Sequence, residues 1–380
     1  MSWAIWITGL PGSGKSVLAR GAAAELNALG EPVRVLELDE IRQAITPRPQ
    51  YTAVEREVVY RALVLMAAFL AEVGTAVIID ATAHRRAWRE LARQAIPLFA
   101  EVQLVCPLEV CRQREQSRTA THAPRGIYAR AGQPGATVPG VDVAYEPALD
   151  PELLIDTSAV PVTEAAARIV DLARRLAEAA PEPSGERGEG WAIWITGRPG
   201  SGKSALAARV AEALALRGVP VRVLDAAEVR RVLLEGSPWS EAAEEIVQRA
   251  VVYATKLLTE AGAAVIVDAT APRRAWREAA RKMIPAFAEV QLICPSEICL
   301  ERERAARWGL GAADPAGGGP ARPPAAPDIV LDYEESLRPD LALHTHRSDL
   351  WTLAEQVLFL VQRLQRLAAA RLERPERRLI

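Results

Sequence analysis

Short, uninterrupted apolar runs alternate along this chain with longer stretches of helical spacing. In the first half the apolar runs fall at 3–8, 33–38, 76–79, 102–106 and 153–155, each bounded by turn residues, and they read as buried strands. Between them, 15–29, 52–73, 85–95, 107–116 and 162–179 place apolar residues three and four apart and read as amphipathic helices. Strand–helix alternation of this kind predicts an α/β fold, a parallel sheet covered by helices on both faces.

The same pattern then starts again. "WAIWITG" stands at 3 and 191, "RRAWRE" at 85 and 273, and "FAEVQL" at 99 and 287, all at the offset of Lys203 from Lys15, 203 − 15 = 188. One register held over such distances indicates duplication of a whole domain. The expected organisation is a domain over 1–180, a Pro-, Gly- and Glu-rich linker over 181–190, a second domain over 191–370 and a basic tail over 371–380.

Each copy carries a glycine-rich turn between its first strand and first helix. "GLPGSGKS" and "GRPGSGKS" both fit G-x-x-x-x-G-K-[ST], the P-loop. Gly9, Pro11, Gly12, Ser13 and Gly14, with Gly197, Gly200, Ser201 and Gly202 in the repeat, form the expected phosphate cradle at a helix N-terminus. Lys15 and Lys203 would reach the terminal phosphates of ATP, and the hydroxyls of Ser16 and Ser204 would ligate Mg²⁺. The fold expectation therefore sharpens to a P-loop NTPase fold present twice in tandem.

Transfer of a phosphoryl group also needs an acceptor pocket and a carboxylate near the acceptor hydroxyl. Asp39 follows the second strand at the carboxyl edge of the sheet, with Arg42 after it. It stands either as a catalytic and metal-binding carboxylate or as a helix N-cap. Asp80 ends the third strand in the manner of a metal-binding carboxylate, and Asp268 repeats it. His84, Arg85, Arg86 and Arg89 give the next helix a basic start, suited to an anionic substrate or, for Arg86 and Arg89, to a solvated face.

Composition narrows the class without choosing an activity. The 380 residues are 50% hydrophobic and 25% charged with a formal charge of −2, which fits a folded globular protein and gives no general attraction to a nucleic-acid partner. No apolar run approaches the roughly 20 residues needed to cross a membrane, so no membrane association and a cytoplasmic location are expected. Cys106, Cys111, Cys294 and Cys299, two identically spaced pairs without an adjacent histidine, are expected as buried thiols.

With "WITGLPGSGKS", "LDEIR", "CPLEVCRQRE", "RGIYARA" and "PGVDVAYEP", copy one resembles the adenylylsulfate (APS) kinase family over nearly its whole length. That resemblance implies ATP-dependent phosphorylation of the 3′-hydroxyl of adenosine 5′-phosphosulfate, with ATP and Mg²⁺ as cofactors. It also implies roles: Asp39 as catalytic aspartate, Arg42, Tyr51 and Arg56 on the substrate, Arg125 and Tyr128 in a lid, Arg114 beside the ATP adenine. Arg302 repeats Arg114 in copy two. Departures occur at Val58, Val59 and Val138, where the family has Glu, Asn and an aromatic residue, and the aspartate of "VIIDAT" is more like other small-substrate or polynucleotide P-loop kinases. A different hydroxyl acceptor therefore stays open.

Copy two keeps the loop, Arg230 and Asp268, but Ala227 replaces Asp39, Glu244 replaces Arg56, and a Gly-, Pro- and Ala-rich segment at 310–327 replaces the lid. The expectation is one catalytic copy and one degenerate copy, which binds nucleotide or pairs structurally with the first, within the chain or in a homodimer. The competing expectation is a nucleotide-sensing scaffold in which neither copy transfers phosphate.

Overall fold

The first apolar run of each repeat lies at the centre of a five-stranded parallel sheet and is buried on both faces, which is why it shows no alternation. The structure is a computed structural model and describes residues 1–117, 126–181, 188–236, 240–307 and 332–372. It divides into two compact units, Met1–Glu186 and Arg187–Ile380.

Unit 1 runs β1 (Ala4–Thr8), α1 (Lys15–Ala28), β2 (Val33–Glu37), α2 (Leu38–Ile45), α3 (Ala53–Glu72), β3 (Ala76–Asp80), α4 (Arg86–Ala95), β4 (Phe99–Val105), α5 (Leu108–Gln116), β5 (Leu153–Asp156) and α6 (Val162–Glu178). Its strand order is β2-β3-β1-β4-β5. Unit 2 repeats this with β6 (Trp191–Gly197), α7 (Lys203–Ala215), β7 (Val221–Asp225), α8 (Ala226–Leu233), α9 (Glu241–Glu260), β8 (Ala264–Asp268), α10 (Arg274–Met283), β9 (Phe287–Ile293), α11 (Ser296–Arg307), β10 (Leu341–His344) and α12 (Leu350–Leu372). Its order is β7-β8-β6-β9-β10. These are the P-loop folds that the alternation and the glycine-rich turn implied, one in each unit.

Alternate residues of β1, with Trp3 just before it, serve opposite cores. Trp3, Ile5 and Ile7 pack with Leu18, Ala22 and Leu26 of α1 and Ile169 and Ala173 of α6. On the other face the Trp6 indole donates to the Ala81 carbonyl at 3.0 Å and stacks at 6.4 Å on Tyr60 of α3.

Two features depart from the sequence expectations. A separate helix, α2, begins directly after β2 with Glu37 as its N-cap residue, so Asp39 lies within its first turn and not at the N-cap position weighed for it. Arg89 is not on a solvated face: it is fully buried, ion-paired with Glu101 of β4 at 2.5 Å, and its guanidinium lies 5.5 Å from the Tyr145 ring. No helix among the described residues is long and apolar enough to cross a membrane. Cys106, Cys111 and Cys299 are buried and Cys294 is partly so. Residues 182–187 of the linker, the segment 310–327 and tail residues 373–380 lie outside the described residues.

Candidate active site

The first glycine turn is fixed from behind by side chains far along the chain. Gly14, with φ 98°, starts α1 from a left-handed conformation. Gly12, with φ 79°, leaves no room for a β-carbon, which would collide with the Cys111 carbonyl of α5. The Tyr128 hydroxyl donates to the Pro11 carbonyl at 2.8 Å, and the Thr157 hydroxyl donates to the Ser13 carbonyl at 2.9 Å. Arg114 in turn donates to the Thr157 carbonyl at 2.9 Å. Lys15 is folded back, its Nζ donating to the Gly9 and Leu10 carbonyls at 3.0 and 2.9 Å. With its carbonyls taken up inside the protein, the turn suits a backbone cradle for an anion.

A cavity of 750 Å³ opens beside this turn at the carboxyl edge of the sheet. It is lined by Pro11, Gly12, Gly14, Lys15, Ser16, Asp39, Arg42, Tyr51, Arg56, Asp80 and Arg114, all expected from the sequence, and also by Glu37, Tyr60 and His84. Gly9 and Ser13 lie in the loop without lining it. Arg85 is exposed at the start of α4, its guanidinium 5.6 Å from the Trp88 ring, and does not line the cavity. Tyr128 supports the loop from below and faces a second cavity of 670 Å³. Arg125 lies outside the described residues.

The sheet-edge wall of the cavity is acidic. Asp80 sits at the end of β3 in register with Ile7 and with Glu37 of β2. Burial raises its carboxyl above the usual range, Glu37 and Asp39 add to this, and the Lys15 charge with a hydrogen bond to Ser16 works against it. Asp39 lies in the first turn of α2, while Glu37 is the N-cap residue, so capping does not explain Asp39. Its side chain is 31% exposed and 3.8 Å from Nε of Arg42.

The opposite wall is basic and aromatic. Arg42 approaches Glu55 of α3 at 3.4 Å and places its guanidinium 5.0 Å from the Tyr51 ring. Arg56 donates to the Thr137 hydroxyl, and burial lowers its pKa, with Arg42 and Arg85 adding to the effect. His84 was expected as part of a basic start to α4. Burial, aided by Arg56 and Arg85, instead lowers its pKa to about 4 and keeps it neutral. The sequence reasoning missed Tyr60, which stacks on Trp88 at 3.8 Å and accepts from the Ala83 amide at 2.9 Å, fixing the backbone just before His84.

Unit 2 repeats the grip and alters the far wall. Lys203 Nζ donates to the Gly197 and Arg198 carbonyls at 3.1 and 3.0 Å, and Gly200, with φ 72°, faces the Cys299 carbonyl. Arg302 donates to the Thr345 carbonyl at 3.1 Å, as Arg114 does to Thr157. Asp268 pairs in register with Asp225.

The adenylylsulphate kinase family profile matches residues 1–156 and again 189–317. The chain belongs to the adenylylsulphate kinase family. A probable adenylyl-sulfate kinase of Archaeoglobus fulgidus is 38% identical over 160 residues, covering 41% of this chain and 97% of that protein. An adenylyl-sulfate kinase of Synechococcus is 36% identical over 162 residues, covering 42% of this chain and 87% of that one. Among solved structures, the Mycobacterium tuberculosis APS kinase in complex with AMPPNP and APS is 29% identical, with a TM-score of 0.41, covering 46% of this chain and 98% of that one. Each relative thus corresponds to less than half of this adenylylsulphate kinase family member. The chain is an ATP phosphotransferase of the kinase type.

Proposed function

We propose that unit 1 transfers the γ-phosphoryl group of ATP to the 3′-hydroxyl of adenosine 5′-phosphosulfate, releasing ADP and 3′-phosphoadenosine 5′-phosphosulfate. The observation that carries this is a single cavity onto which the phosphate-loop Lys15 and Ser16, the carboxylates Asp39 and Asp80, and the cationic Arg42 and Arg56 all open.

The loop amides and Lys15 hold the polyphosphate, and Lys15 exchanges its two carbonyl partners for phosphate oxygens. Asp39, partly exposed at the cavity wall, accepts the proton of the acceptor hydroxyl. Arg42 and Arg56, brought into one wall by α2 and α3, bind the phosphosulfate, and Tyr51 offers an aromatic face to the acceptor's base. Arg114, fixed by Thr157 beside the loop, flanks the nucleotide.

The donors present suit Mg²⁺: a hydroxyl on Ser16 hydrogen-bonded to the carboxylate of Asp80, with Asp39 on the same wall. Among the described residues no three His, Cys, Asp or Glu side chains converge on a metal site by themselves, and a kinase Mg²⁺ takes much of its coordination from phosphates and water. When bound, the ion would neutralise charge on the phosphates.

The test is ADP release by the full chain. ADP should form only when the phosphosulfate is added, and Lys15→Ala should lower the rate about 10²–10³-fold. Asp39→Ala should abolish turnover, and Asp268→Ala should leave it nearly unchanged. ADP formation that ignores the acceptor, or survives Asp39→Ala, would sink the assignment.

A further inference from the structure

Unit 2 preserves one half of the site and rebuilds the other. On the nucleotide side the correspondence reaches individual bonds: the Lys203 carbonyl cradle, the left-handed Gly200 and Gly202, and the Thr196 hydroxyl donating to Thr270 at 2.7 Å as Thr8 does to Thr82 at 2.7 Å. On the acceptor side four positions change together. At the constant offset Asp39 becomes Ala227, Arg56 becomes Glu244, Tyr60 becomes Gln248 and His84 becomes Pro272.

Those changes act on one another. Glu244 of α9 is 0% exposed and grips Arg230 of α8 with both oxygens, at 2.7 Å to Nε and 2.6 Å to Nη2. Gln248, one turn further along α9, donates to the same carboxylate at 2.7 Å. In unit 1 the equivalent Arg42 makes looser carboxylate contacts, 3.4 Å to Glu55 and 3.8 Å to Asp39, and lines an open cavity. A carboxylate paired to a guanidinium through two parallel bonds presents the charge and geometry that a phosphate or sulfate group would.

We propose that unit 2 is a nucleoside-triphosphate site whose acceptor side is closed by its own carboxylate, Glu244, so that it holds nucleotide and admits no anionic acceptor. The nucleotide part stands on the geometry of unit 2 alone; the choice of acceptor probe rests on the function proposed for unit 1. An incoming anion would have to displace a carboxylate with no access to water from its guanidinium partner, leaving it only the Gln248 amide among the partners described, an exclusion of about 100-fold or more. Ala227 removes the carboxylate that transfer would need in any case.

Equilibrium dialysis of the full chain tests both parts. With AMPPNP, two equivalents should bind per chain, falling to one in Lys203→Ala. With APS in the presence of ADP, one equivalent should bind, and Glu244→Ala should add a second, at least about tenfold tighter than any residual binding to unit 2. The Glu244→Ala/Arg230→Ala double variant should lose that gain, because the recruited cation is gone. Should Glu244→Ala unfold the unit, Glu244→Gln keeps the shape, drops the charge and should shift APS binding in the same direction.

A nucleotide stoichiometry indifferent to Lys203→Ala overturns the site. Two APS equivalents in the unsubstituted chain, or no gain on removing the Glu244 charge, overturn the closure. Absence of APS-dependent turnover with both AMPPNP equivalents intact counts against the reading of unit 1 and leaves the nucleotide site of unit 2 standing.

Discussion

Asp80 is a carboxylate that the fold disfavours and the proposed chemistry requires. Its pKa is raised by burial, so the stability it contributes is present below its unfolded value of 3.8 and is lost as pH rises through the folded one. At neutral pH, Asp80→Asn should therefore raise the stability of the ligand-free protein by about 0.5–2 kcal/mol while lowering turnover, which paired melting curves and ADP assays would show. His84 works in the opposite sense. Its pKa is depressed from 6.5 to about 4, so stability is full above 6.5 and declines as pH falls toward 4, where the folded state must take up a proton it resists. His84→Gln should flatten denaturant-measured stability across that window; an unchanged slope would mean that another group controls it. The sequence placed Asp80 beside the phosphate loop and His84 in a run suited to an anionic substrate but could not give their ionisation. A basic-looking run at 84–89 splits into a neutral cavity residue, an exposed arginine, a partly buried one and a fully buried one, and only tertiary burial decides which is which.

The elements themselves were legible where a single period dominated. The central strands are apolar throughout because both faces are covered, and the glycine turn fixed the start of α1. Helix α2 was harder: "LDEIRQAI" buries Leu38, Ile41 and Ile45 at helical spacing, but the run is only 8 residues and continues straight from a strand. That one element sets the site, since it carries Asp39 and Arg42 to the cavity together. The join between α4 and β4 is also invisible in a hydropathy pattern, because it is made by charge. Arg89 and Glu101 approach at 2.5 Å in the interior, and Arg89 also donates to the Glu146 carbonyl at 2.6 Å. Arg89→Ala should strand Glu101 and destabilise the unit by about 3–5 kcal/mol, whereas Arg89→Met with Glu101→Leu should recover most of it. Urea titrations of the three proteins measure the difference, and equal losses for the single and double variants would show that the arginine acts through its carbonyl bonds rather than the ion pair.

At the scale of the whole chain, duplication was the clearest message of the sequence, and divergence of the copies is what the structure adds. Each unit closes its own core: Trp3, Ile5, Ile7, Leu26 and Ile169 in one, Trp191, Ile193, Ile195, Leu214 and Val357 in the other, and among the described residues each of these clusters is drawn from its own repeat. A unit of nearly 190 residues with a complete sheet buries enough apolar surface to fold alone. Residues 1–186 expressed separately should therefore unfold in one cooperative transition and keep acceptor-dependent ADP release at close to the full chain's rate per molecule. Residues 187–380 should fold as cooperatively and release none. Circular dichroism melts and the ADP assay on the two halves decide the matter. If 1–186 folds but loses turnover, transfer requires the second unit; if the activity instead follows 187–380, the substitutions at Ala227 and Glu244 have been given the wrong meaning.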